Sequence, residues 1–94
     1  MFDFDCGKIV VNSNIETRLF GKRLVLKNIY FYDGPITLQY LPYGGIQAIF
    51  DDVIIINTKS GFIATKEVEY DGLDYTVGEL TVLYNDLVNL VLPN

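Results

Sequence analysis

The 94-residue chain has no histidine, no tryptophan and one cysteine, Cys6. Without imidazole there can be no Ser-His-Asp or Cys-His nucleophile pair, no imidazole base working near neutral pH, and no histidine ligand for a catalytic metal. A single thiol neither staples a secreted fold nor supplies zinc-ligand spacing. The acids Asp3 and Asp5 just before it do not favour a reactive thiolate. No apolar run approaches the ~18 residues of a membrane span. Met1-Phe2-Asp3-Phe4-Asp5 carries acids where a signal peptide has its apolar stretch. These absences point to a cytoplasmic, non-catalytic chain with no cofactor and no metal.

What is present suits a β core. Half of the residues are hydrophobic and 14% are aromatic, with Ile, Val, Tyr, Phe and Thr prominent, as strands prefer. A chain of this length forms one domain, residues 1–94, and buries roughly 60–65% of its unfolded surface. Charge is unevenly spread. Residues 1–32 hold five bases against three acids, and residues 33–94 hold nine acids against two bases. That imbalance disfavours direct nucleic-acid binding, which needs clustered Lys and Arg. It favours an acidic face that docks on a basic protein.

Turn signals recur at short intervals, as in an antiparallel meander. Strands are expected at Lys8–Val11, Ile15–Phe20, Leu24–Tyr32, Ile36–Tyr40, Ile46–Phe50, Val53–Asn57 and Phe62–Tyr70. Asp33-Gly34 reads as a two-residue hairpin, Asp51-Asp52 as a tight connection, and Asp71-Gly72 as the end of a strand. Tyr-Asp-Gly occurs at both 32–34 and 70–72, which implies matching turns. Val53-Ile54-Ile55-Ile56, apolar without alternation, implies a strand covered on both sides. Within the long strand Leu24 and Leu26 share one face and Ile29 and Phe31 the other, so a bulge is expected near Lys27-Asn28. Thr76-Val77-Gly78-Glu79 has the form of a capping box. Leu80, Leu83, Tyr84, Leu87, Val88 and Val91 then fit one helical face, giving a helix over 77–91 stopped by Pro93. A hairpin around Asn85-Asp86 competes with it. The expected architecture is mainly β, a small barrel or sandwich with one C-terminal helix.

Chemistry-bearing groups are sparse. Asp3 with Asp5, and Asp51 with Asp52, could each contribute to a Mg²⁺ or Ca²⁺ site, but no third ligand is fixed by spacing, and solvated carboxylates are the simpler reading. Tyr43-Gly44-Gly45 lacks phosphate-loop spacing. The seven tyrosines are better candidates, since Tyr is large, stiff and amphipathic and serves binding hot spots. Tyr30, Tyr32, Tyr40 and Tyr43, with Asp51, Asp52, Glu67, Glu69 and Asp71, form the expected binding surface. The basic cluster Arg18, Lys22, Arg23 and Lys27 either contacts an anion or balances nearby acids.

The stretch from Gly21 to Leu83 resembles the C-terminal β-barrel domain of formyltransferases. Gly21-Lys22-Arg23-Leu24-Val25-Leu26 is similar to that domain's opening strand. Tyr43-Gly44-Gly45-Ile46 falls where the family has a Pro-Gly turn. Asp52-Val53-Ile54-Ile55-Ile56 with Ser60-Gly61-Phe62-Ile63 resembles its hairpin, and Thr76–Leu80 its closing helix. The resemblance implies a barrel with an accessory role and carries no catalytic residue. Two departures stand out: the tRNA-type domain is basic where residues 33–94 here are acidic, and the histidine-bearing catalytic half has no counterpart. Short acidic chains of this kind also resemble the inhibitors that phages and mobile elements direct at host proteins. The expectation is a binding protein with a protein partner, and homo-oligomers are included. The alternatives are the formyltransferase accessory barrel and an oligomer sequestering a small ligand between Tyr30, Tyr32 and Tyr40.

Overall fold

Three left-handed turns set the strand pairing. Phe20-Gly21 (φ 53° and 80°), Asp51-Asp52 (53° and 60°) and Asp71-Gly72 (52° and 84°) each place two residues at positive φ. That is the turn whose twist matches a two-residue β-hairpin. The computed structural model describes Phe4, residues 9–35 and residues 41–93. Its strands are β1 (Ile15–Leu19), β2 (Lys22–Lys27), β3 (Tyr30–Phe31), β4 (Ile46–Phe50), β5 (Val53–Thr58), β6 (Gly61–Thr65), β7 (Glu67–Tyr70) and β8 (Leu73–Thr76), followed by helix α1 (Val77–Leu83). They form two antiparallel four-stranded sheets, ordered β1-β2-β7-β8 and β3-β6-β5-β4. The architecture is mainly β with one C-terminal helix, and the sheets do not close into a barrel.

Two strands pass from one sheet to the other at shared corners. Lys27 lies opposite Glu67 in the first sheet and Tyr30 opposite Ala64 in the second, an advance of three residues along both chains. The register therefore runs through the corner without an inserted residue. The phase change in Leu24–Tyr32 is a corner at Asn28 (φ 52°), where a bulge was expected. The Thr65 hydroxyl ties it, donating to the Lys27 carbonyl and accepting from the Glu67 N–H. Phe62–Tyr70 likewise divides at Lys66. Ile63, Val68 and Tyr70 enter the main core, whereas Phe62 and Ala64 belong to a second cluster. A true bulge lies in β4, where Ile46 faces Ile56 and Ala48 faces Ile55, leaving Gln47 over.

The core between the sheets contains Ile15, Leu24, Leu26, Ile29, Ile54, Ile56, Ile63, Val68 and Leu80, with Phe4 fully buried beside them. Val53–Ile56 is buried at every position, as its unbroken apolar run implies.

Several local expectations change. Residues 9–14 form a turn tied to Ile29 by backbone bonds from Asn12 and Ser13, with no strand there. Neither Asp33 nor Gly34 has positive φ, so this Tyr-Asp-Gly lacks the left-handed geometry of the Asp71-Gly72 turn. The strand expected at 36–40 lies outside the described residues. β8 was not anticipated, because Leu-Asp-Tyr-Thr is short and half polar.

The capping box is present in full. The Thr76 hydroxyl accepts from the Glu79 N–H, and the Glu79 carboxylate accepts from the Thr76 N–H. The helix nonetheless stops at Leu83, with Tyr84 already extended. Thr81 and Val82 are weak helix formers, and residues 84–93 have a competing use. They run back as a strap whose Leu87 and Leu92 are buried. The strap bonds to the start of β4 through Ile46 N–H to Leu90 O (2.7 Å), Asn89 N–H to Ile46 O (2.8 Å) and Leu92 N–H to Gly44 O (2.8 Å). At its far end the Thr17 hydroxyl of β1 donates to Pro93 O. The strap thus spans the edge strands β4 and β1 of the two sheets.

Candidate functional site

The outer face of the first sheet and its hairpin end carry a lattice of paired charges. Lys22 meets Asp71 (3.5 Å), Arg23 meets both Glu16 (3.1 Å) and Glu69 (3.2 Å), and Lys27 meets Asp74 (3.1 Å). Hydrogen bonding to Asp74, and then its charge, raises the Lys27 pKa. Glu67 lies opposite Lys27 on the neighbouring strand. Antiparallel pairing brings the basic β2 beside the acidic β7, so the two clusters that are separate in sequence largely cancel in space. Such exposed pairs add little to stability, and their larger effect is to spend the charge. Of the four clustered bases, Arg18 has no acidic partner among the described residues.

The second sheet offers a different surface. Val53, Ile55 and Ala64 are buried on its outer face, with Tyr30, Tyr32, Ala48 and Phe62 packed against them. At one end the Tyr32 hydroxyl donates to Pro35 O (2.6 Å), which fixes the ring. Its edge meets the Phe50 ring with centroids 6.2 Å apart, a favourable aromatic geometry. Phe50 is 42% exposed. Three carboxylates adjoin this pair in sequence: Asp33 after Tyr32, and Asp51-Asp52 after Phe50. All three are exposed, and none forms an ion pair among the described residues. The Asp52 carboxylate packs over Gly78 in the first turn of α1.

The expected binding residues therefore divide. Tyr32, Asp51 and Asp52 belong to the aromatic–acidic end. Tyr30 is half-buried near the Asn28 corner. Glu67, Glu69 and Asp71 lie on the charge-paired face. Tyr43 is exposed in the loop before β4, and Tyr40 lies outside the described residues, as do Asp3, Asp5 and Cys6. Sequence reading missed Phe50 and Asp33. A large aromatic directly before an Asp-Asp turn was the available signal for Phe50.

Among the described residues no three Cys, Asp or Glu side chains come together as a metal site would require. Three surface grooves lined by described residues are small. One beside Tyr30, Lys27 and Lys66 holds about 230 Å³, one at Lys27, Asp74 and Glu79 about 270 Å³, and one between Arg18–Gly21 and Leu90–Pro93 about 290 Å³. Small-molecule pockets typically start near ~300 Å³ and are enclosed. Among the described residues no helix is long and apolar enough to cross a membrane.

Fold and surface together define a two-sheet antiparallel β domain carrying a short helix and a C-terminal strap. Comparison of the chain with protein-family models, curated proteins and solved structures returned no match.

Proposed function

We propose that this protein is a non-catalytic binding module that engages a basic protein through the aromatic–acidic end of its second sheet. The supporting observation is the contrast between its acids. Glu69, Asp71 and Asp74 are neutralised by Arg23, Lys22 and Lys27, while Asp33, Asp51 and Asp52 adjoin half-buried Tyr32 and exposed Phe50 in sequence and form no ion pair among the described residues. An aromatic anchor rimmed by unpaired charge of one sign has the anatomy of a protein-binding hot spot. Inhibition of a host protein, as with the small acidic inhibitors of mobile elements, is one use of such a surface. The formyltransferase accessory role is a separate proposal, resting on the motifs quoted above.

The test is affinity capture from cell lysate with the full chain, set against two variants. Asp33→Asn/Asp51→Asn/Asp52→Asn removes the charge, and Asn keeps the left-handed turn accessible. Phe50→Ala removes the anchor. The expected partner is basic, is released as salt rises, and is lost with either variant. Retention of the same partners by both variants would overturn the proposal.

A further inference from the structure

The edge strand β1 is self-complementary, and we infer that two copies of the chain pair through it, antiparallel and centred on Thr17. Leu19 and Lys22 flank the two-residue turn, so they form the closing hydrogen-bonded pair, and Ile15, Thr17 and Leu19 direct their backbone groups toward β2. The N–H and C=O groups of Glu16 and Arg18 consequently face outward. β1 ends the sheet order, and no described residue bonds to these groups.

Natural edge strands are guarded by charge, proline or bulges. Here the guards have opposite sign and stand two residues apart. Antiparallel pairing about Thr17 sets Glu16 opposite Arg18 of the second copy, and Arg18 opposite its Glu16. These are the residues with outward backbone groups, so the pairing forms four main-chain hydrogen bonds. The same register sets Ile15 opposite Leu19 of the second copy and Thr17 opposite its equivalent on the axis; all three are already buried within the single chain, so the main chain and the charged pairs carry the interface. Sliding by two residues either way sets Glu16 against Glu16 or Arg18 against Arg18, which is unfavourable. Sliding by one turns the outward groups out of phase.

Charge within the single chain supports the same partner. Arg18 lies directly opposite Arg23 across β1–β2, a like-charge pair, and has no acid of its own among the described residues. Arg23 is held between Glu69 and Glu16. The second copy extends this row to Glu69, Arg23, Glu16, Arg18, alternating in sign at every strand. The strap passes under β1, bonded to the inward Thr17 hydroxyl, and leaves a groove beside Arg18–Gly21. Phe20 (58% exposed) and Val91 (45%) flank that groove and would be covered in part.

The interface is short, so dissociation on the order of 100 μM is expected. Sedimentation equilibrium of the full chain tests it, with Arg18→Glu, Glu16→Arg and Glu16→Pro as variants and circular dichroism as the folding control. Each charge variant alone should weaken dimerisation by about tenfold or more. Mixing the two should restore it as a heterodimer, because every facing pair is again opposite in sign. Glu16→Pro removes an outward N–H, which an edge strand tolerates, together with the Glu16 carboxylate, and should weaken the dimer beyond what loss of the charge alone does. A wild type still monomeric at about 1 mM, a dimer indifferent to these variants, or a mixture that fails to associate would each overturn the inference.

Discussion

Replacing Gly44 by alanine probes whether the strap contributes to stability or merely rests on the sheet. Gly44 sits at φ 95°, and a Cβ there would collide with the Leu92 carbonyl oxygen. Gly72 provides the control: its φ is 84°, and a Cβ there meets open space. At either site an L-residue with positive φ costs roughly 1–2 kcal/mol. At Gly44 alone the strap must also shift. That strains the bond from Leu92 N–H to Gly44 O, worth about 1 kcal/mol, and lifts Leu92 from its buried site. Gly44→Ala should therefore cost about 3 kcal/mol and Gly72→Ala about 1–2. The difference corresponds to roughly 5–15 °C in Tm for a domain of this size. Thermal unfolding and urea midpoints at unchanged m-value measure it. Amide exchange adds a local reading, since Leu92 and Ile46 N–H protection should fall in Gly44→Ala and persist in Gly72→Ala. Equal losses in the two variants, with Leu92 protection intact, would refute the reasoning.

Two further expectations concern the core and the helix. Burial first, and then its hydrogen bond with Tyr84, push the Tyr70 phenol from 10.0 up to about 12. The folded state keeps this proton where the unfolded chain has lost it, so the contribution is whole below pH 10 and falls as pH rises from about 10 to about 12. Tyr70→Phe should show a shallower loss of stability across that window in pH-dependent denaturation, and identical slopes would contradict the assignment. Thr76→Ala removes half of the capping box and should cost about 1 kcal/mol, a fall of roughly 4–8 °C in Tm; an unchanged Tm would mean that α1 is held by Val77 and Leu80 alone.

What was legible in the sequence follows from which forces are local. Two of the three turns with paired positive φ are legible as Asp51-Asp52 and Asp71-Gly72, although Asp33-Gly34 carries the same signal without that geometry, and the unbroken Val53–Ile56 run announces a strand buried on both faces. The capping box reads directly because its partners are three residues apart. Of the two corners, the one at Asn28 showed only as a phase change and the one at Lys66 was not legible. Alternation in Phe62–Tyr70 is uninterrupted, yet Lys66 moves the chain to the other sheet, so Phe62 and Val68 share a phase in sequence and separate clusters in space. The helix was overextended for a related reason. Leu87 and Val91 fit a helical face as well as they fit a strap, and only the bonds to Gly44 and Ile46 decide between them. Phe20-Gly21 gave no hairpin signal, since a phenylalanine at φ 53° is unfavourable on its own; its ring is held 4.8 Å from that of Tyr84.

The candidate surface was legible only as a total of charge, and the total misleads. An excess of acids in residues 33–94 suggests one acidic face, but strand order decides which acids stay unpaired. Because β7 lies beside β2, Glu69 and Asp71 face Arg23 and Lys22, and the most acidic strand becomes nearly neutral. Because β4 and β5 lie at the far side of the other sheet, no base from β2 stands beside Asp51. The same pairing singles out Arg18: β2 spends its charges on β7, and Arg18 is left opposite a like charge at an open edge. Both proposed contacts therefore arise from one topological fact, the insertion of the β3–β6 segment between two strands that pair with each other. It gathers the basic and acidic strands of one sheet together, and leaves charge without an ion-pair partner among the described residues at the β1 edge and at the Asp51-Asp52 turn.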